Sequence, residues 1–133
     1  MRRLALWGAL IGGAAALCAC SVVASKKSVL HPSTVIKDVA SFVGKTVTVS
    51  GYLVSEFENR GMWDSRSTYS GGSGTTDCLS LLIPRDRFDV VASYSKRFAV
   101  VEGKIVDLRK TDFALGSACS FVAIEVQDIR SAP

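Results

Sequence analysis

The sequence predicts an all-β domain, β-rich with short helices. Five strands close into a small barrel, preceded by a short helix and by an N-terminal segment destined for removal. Three observations predict it. Residues 45–54 and 97–106 both alternate apolar with polar side chains, as half-buried strands do, and each carries a glycine at an inward position. A stretch with helical spacing separates the third strand candidate from the last two. The chain begins Met1-Arg2-Arg3 and continues from Leu4 to Leu17 without a charge.

That opening has the organisation of a secretory signal, a basic start and then an apolar stretch. The stretch is short for a membrane span, which needs about 20 residues. Gly8, Gly12 and Gly13 weaken it as a helix, each by about 1 kcal/mol relative to Ala. A permanent membrane helix and a soluble exported chain cut near Ala19 or Ala24 are the alternatives. No extended twin-arginine motif surrounds Arg2-Arg3. Leu17-Cys18-Ala19-Cys20 resembles the box of bacterial lipoprotein signals: an aliphatic residue, two mostly small residues, then cysteine. Cys18 fits worse, because Leu17 stands where a small residue belongs. The resemblance implies that residues 1–19 are a lipoprotein signal peptide and that Cys18 leaves with it. Cys20 then carries a diacylglyceryl group and an N-acyl chain such as palmitate. Ser21, in place of an aspartate, implies an outer-membrane address facing the periplasm. Two or more acyl chains anchor a protein stably where one holds it marginally.

Loss of Arg2 and Arg3 takes the formal charge from +4 to +2, too small a surplus to specify a partner. Residues 20–32 lack periodicity and read as a lipid-anchored tether that spans on the order of 40 Å when extended. Lys26-Lys27 is a solvated pair or a contact to anionic head groups.

Residues 33–133 form the domain. Ser33 or Thr34 caps a helix whose apolar residues are Val35, Ile36, Val39, Phe42 and Val43, with Gly44 at its C-terminal end. The first strand, Lys45–Val54, turns Val47, Val49 and Leu53 inward, with Gly51 among them. Residues 61–69 give a weak second strand. Ser70 to Thr76 is a glycine-rich turn, and Asp77–Ile83 is a third strand with Leu79, Leu81 and Ile83 alternating. In Pro84–Tyr94, Phe88, Val91 and Ala92 lie at helical spacing and Asp86 is a candidate cap. Arg97–Val106 repeats the first design with Ala99, Val101, Gly103 and Ile105. The last strand, Ser120–Ile129, faces Val122, Ile124 and Val126 inward. A glycine within a strand marks a bulge or a sharp bend.

Helix, three strands, short helix and two strands is the order of an OB-fold barrel. The chain resembles small bacterial lipoproteins with an OB-fold (oligonucleotide/oligosaccharide-binding-like) domain. The resemblance rests on residues 39–44, on Gly-Lys-x-Val-x-Val-x-Gly-Tyr-Leu from Gly44 to Leu53, on Val101-Glu102-Gly103 and on the closing segment from Cys119 to Ile129. It implies architecture and supplies no catalytic residue.

Outside the signal two cysteines remain, Cys78 and Cys119, and an even count in an oxidising compartment favours a disulfide over two buried thiols. In an OB barrel the third and fifth strands are parallel neighbours, so both cysteines fall at one end, on the face opposite Leu79 and Val122. A bridge there would stabilise the fold by about 4 kcal/mol.

The function expected is a non-catalytic binding or accessory module of the cell envelope, with a protein or glycan partner. OB barrels bind extended ligands across the second and third strands and the adjoining loops. Tyr52, Arg60, Trp63, Arg66 and Tyr69, with Phe57, fall on or near that surface. Ordinary barrel packing is the competing reading of each, and Trp63 either anchors a partner or plugs the barrel. The aromatic-plus-arginine set also suits nucleic acid, but a periplasmic anchor and the small charge argue against it. A hydrolase is the third class. Glu56, Glu58, Asp64 and Asp77 are too scattered to read as a pair, and the one histidine, His31, lies in the tether. Neither metal nor cofactor is expected.

Overall fold

In a computed structural model of the chain, residues 26–70, 77–112 and 119–133 are described. The segment expected to be a signal peptide, Cys20 and most of the glycine-rich turn lie outside them. The elements are β1 (Val29–Leu30), α1 (Pro32–Lys37), α2 (Val39–Phe42), β2 (Thr46–Glu56), β3 (Asn59–Trp63), α3 (Arg66–Ser70) and β4 (Leu79–Leu82). A 3-10 turn at Arg85–Arg87 leads into α4 (Phe88–Ala92), followed by β5 (Arg97–Asp107), a second 3-10 turn at Leu108–Lys110, and β6 (Val122–Ser131).

β2 pairs antiparallel with β3 and also with β5; β3 continues antiparallel to β4, β4 runs parallel to β6, and β6 is antiparallel to β5. The sheet therefore closes on itself as β2–β3–β4–β6–β5 and back to β2. Closure pairs most of the strand edges that an open sheet would expose, except where β3 and β4 share only two paired positions. It also requires the two long strands to bend. At Gly103 the β5–β6 register shifts, as expected of an inward glycine, and a Cβ there would overlap the Glu125 carbonyl. Gly51 lets Pro32 and the Trp63 carbonyl approach: a Cβ would lie 2.6 Å from that oxygen.

The core inside the ring contains Val49, Leu53, Met62, Leu79, Leu81, Ala99, Val101, Ile105, Val122, Ile124 and Val126. These include most of the inward residues expected for the first, third, fourth and fifth barrel strands; Val47 and Ile83 are only partly buried and pack against this core, and Ile83 lies past the end of β4. α1 closes one end, with Val35 fully buried among them. α4 closes the other end with Val91. Ala92, expected to face inward, is exposed because the helix is a single turn oriented by Phe88 and Val91.

Five local expectations are corrected. The single helix from Val35 to Val43 is two, interrupted at Asp38 (φ −136°, ψ 59°). It begins earlier than Ser33, at Pro32, whose fixed φ suits a first helical position. Neither Ser33 nor Thr34 caps it; the Ser33 N–H instead donates to Asp64 Oδ1 at 2.9 Å. The expected tether is partly structured: Val29 and Leu30 run parallel to Thr48 and Val49, and Lys27 Nζ lies 2.7 Å from Glu102 Oε1. Ordered chain thus begins before residue 33. The second barrel strand ends at Trp63, and Tyr69 sits on α3. Finally, Asp86 makes no cap hydrogen bond: the 3-10 turn has Pro84 at its N-cap, without a side-chain cap, and Asp86 lies within the turn.

Candidate functional site

A second, smaller core lies outside the ring. It is built on the outward face of β2, where alternation alone would leave Tyr52 and Val54 facing water. Tyr52, Val54, Trp63 and Cys78 are buried there, with Tyr69 and Cys119 packed against them. The register sets Trp63 of β3 opposite Tyr52 of β2, and Tyr52 opposite Phe98 of β5. α3 lays Tyr69 over this row, its ring 4.8 Å from Trp63 and 5.9 Å from Tyr52. The Tyr52 and Phe98 rings meet edge-on at 5.6 Å.

The disulfide closes the lower side of this cluster. Cys78 and Cys119 are bonded, with Cα atoms 6.0 Å apart, at the end of the barrel where β4 and β6 begin. Gly61 makes room for it, since a Cβ there would come within 2.6 Å of Cys119 Sγ and 3.1 Å of the indole. The Ser80 hydroxyl donates to the Ser120 carbonyl and accepts from the Ser120 N–H, both at 2.9 Å, tying the same two strands.

The five residues proposed for partner binding therefore divide. Tyr52, Trp63 and Tyr69 come together, but as packing. Trp63 is only 6% exposed, which places it in a core and not on a free surface. It covers the outer face of the barrel where sequence position alone left two readings open. Arg66 is exposed on α3. Arg60 stands apart from all of them, at the opposite end of the barrel. It has the inward parity of Met62 but lies beyond the core, and its guanidinium rests 4.7 Å from the centre of the Phe88 ring.

Arg60 borders the groove of interest. β3 and β4 pair at only two positions, Gly61 with Ser80 and Met62 with Leu79. Beyond these, Asn59–Arg60 and Leu81–Leu82 continue as strands without pairing to each other, while β4 stays attached to β6. The split opens a groove of about 370 Å³. Its wall on the β4 side is Leu81, Leu82, Ile83 and Pro84; Arg60 with Phe88 and, on β6, Glu125 border the rest. Pro84, which has no ladder donor, follows two residues after the end of β4. Neither Arg60 nor Glu125 forms an ion pair among the described residues. Near the same end, Phe57 at the β2–β3 turn is 86% exposed.

Of these lining residues sequence reasoning found only Arg60. Leu82 carried a signal: it is apolar at an outward position, directly before the strand-ending Ile83-Pro84. Phe88 was assigned to helix packing, and its contact with Arg60 depends on two elements meeting at the barrel end.

The carboxylates do not converge. Glu56 pairs with Lys96 at 2.8 Å and raises its pKa through a side-chain hydrogen bond. Asp64 holds the start of α1. Glu58 and Asp77 are exposed. The buried acid is Asp107, which accepts from the Arg109 side chain at 3.0 and 2.8 Å and from its backbone N–H at 3.1 Å. The Arg109 side-chain bonds hold its carboxyl at a pKa of about 2. This bidentate grip is structural, joining the end of β5 to the turn that follows. Among the described residues no group of three or more His, Cys, Asp or Glu could hold a metal ion, and no helix is long and apolar enough to cross a membrane.

Five strands in this closed order, with a helix between the third and fourth, define an OB-fold-like barrel. No protein-family model and no curated protein matches the chain. Among solved structures, an OBody, AM3L09, bound to hen egg-white lysozyme, is similar over 67% of this chain and 82% of that one, at 19% identity and a TM-score of 0.42.

Proposed function

We propose that the chain is a non-catalytic binding module of a bacterial cell envelope, held to the outer membrane by lipid on Cys20. The observation that carries the binding role is the groove in the β3–β4 split. It lies on the second and third barrel strands, where OB barrels take extended ligands. Its position relative to the tether supports this reading. β1 enters beside the start of β2, whereas Phe57, Arg60 and α4 lie at the far end. β2 is long enough to separate the two ends by up to about 36 Å, less its curvature. A module anchored through its N-terminus would turn the groove away from its own membrane.

The anchor reading rests on the Leu17–Cys20 box. Labelling with a fatty-acid probe should mark the wild type and the Cys18→Ala variant and leave Cys20→Ala unmarked. Label retained in the Cys20 variant would overturn it. For the binding role, Arg60→Met keeps the apolar stem over Phe88 and should keep the melting temperature. It should lose partners that the wild type captures from solubilised envelopes. Unchanged capture would remove the groove from the account.

A further inference from the structure

We infer that the ligand of this groove is an extended apolar peptide segment bearing a carboxylate; the inference rests on the binding reading above and specifies its partner class. Two features favour a peptide over a glycan or a nucleic acid. The groove lies between two strands, Asn59–Arg60 and Leu81–Leu82, that continue side by side without a shared ladder. Strand edges of this kind recognise another strand through main-chain hydrogen bonds, with alternate side chains entering apolar pockets. Leu81, Leu82, Ile83 and Pro84 supply such a wall. A sugar or a base would instead seek an open aromatic face. The aromatic ring lining the groove, Phe88, has Arg60 lying over it.

Arg60 supplies the charge. Arg60 is half-buried, its guanidinium lies over the Phe88 ring, and it forms no ion pair among the described residues. Other charges stand at this barrel end: Glu56 and Lys96 hold each other, Glu58 is exposed in the β2–β3 turn, Arg85, Asp86, Arg87 and Asp89 lie on the 3-10 turn and helix after β4, and Glu125 lines the groove on β6 beside Leu82. A planar guanidinium held in place matches a carboxylate in a forked geometry. That carboxylate can come from a peptide's C-terminus or from an Asp or Glu side chain.

Pools of N-acetylated random hexapeptides separate the two sources. One pool ends in free acids and one in amides. Each is captured on the immobilised mature chain and read by mass spectrometry, with a chito-oligosaccharide hexamer as the glycan probe. Enriched peptides should have alternating apolar residues. Free acids should dominate if the terminus binds, and Asp- or Glu-containing amides if the side chain does. Arg60→Met should lower the affinity of an enriched peptide at least about tenfold, the loss expected for a hydrogen bond to a charged group. It should leave the apolar preference in place. Enrichment indifferent to carboxylate, or no enrichment at all, overturns the inference. Binding of the glycan alone also overturns it, while leaving the wider binding role intact.

Discussion

Replacing Trp63 by alanine tests whether the aromatic row on the outer barrel face is a core or a docking surface. The indole is 6% exposed and stacks edge-on against Tyr69 at 4.8 Å, above Gly61 and beside the disulfide. A tryptophan buried to this degree removes roughly 200 Å² from water, worth about 5 kcal/mol at 25 cal/mol/Å². Measured truncations of buried Phe and Trp fall at about 3–5 kcal/mol. At a urea slope of about 2 kcal/mol/M, the midpoint should fall by about 2 M. Unfolding is followed by far-UV circular dichroism with the disulfide intact, so that the loss of the fluorophore does not matter. Trp63→Phe should lose much less. A midpoint lowered by less than about 0.5 M would refute the assignment, and would return Trp63 to the candidates for partner contact.

Three further outcomes follow from the same geometry. Reduction of Cys78–Cys119 should cost about 4 kcal/mol by loop-closure entropy, and mass spectrometry of the protein under non-reducing conditions should give the linked peptide; free thiols at both positions would contradict the bridge. Gly103→Ala places a methyl onto the Glu125 carbonyl at the β5–β6 register shift and should destabilise the barrel by about 3 kcal/mol or more, whereas Gly44→Ala, at φ +80° with open space around it, should cost about 1–2 kcal/mol. Asp107 is ionised more readily folded than unfolded, with its pKa lowered from 3.8 to about 2. Its contribution is complete above the unfolded value and fades as pH falls from about 3.8 toward 2, so the stability gap between wild type and Asp107→Ala should narrow across that window in acid titrations.

The inward faces were legible because alternation has a period of two and a closed barrel buries one side of every strand. Val49, Leu53, Leu79, Leu81, Ala99, Val101, Ile105, Val122 and Ile124 could be placed on that ground alone. The bend at Gly103 was legible for the same reason, since a strand interior otherwise disfavours glycine. The disulfide followed from topology, because parallel third and fifth strands bring residues 78 and 119 to one end. The second core was not legible. Tyr52 and Val54 occupy outward positions, and among the described residues they are covered by Tyr69 on α3, a helix of five residues in a serine-rich segment, together with the disulfide. The sequence places Tyr69 at the end of a strand because Arg66–Ser70 has too few residues to display a helical period. The groove has no sequence signature because it arises from two strands that pair at only two positions, a property of how β3 and β4 meet in space.

The groove can be tested directly by photo-crosslinking in intact cells. A photoreactive residue replaces Leu82 in the groove, or Gln127 on an exposed part of β6, in the full-length chain. The account predicts a discrete envelope adduct from position 82, absent from position 127, and abolished when Arg60→Met is added. Equal adducts from both positions, or an adduct from position 82 that survives the loss of Arg60, would contradict it.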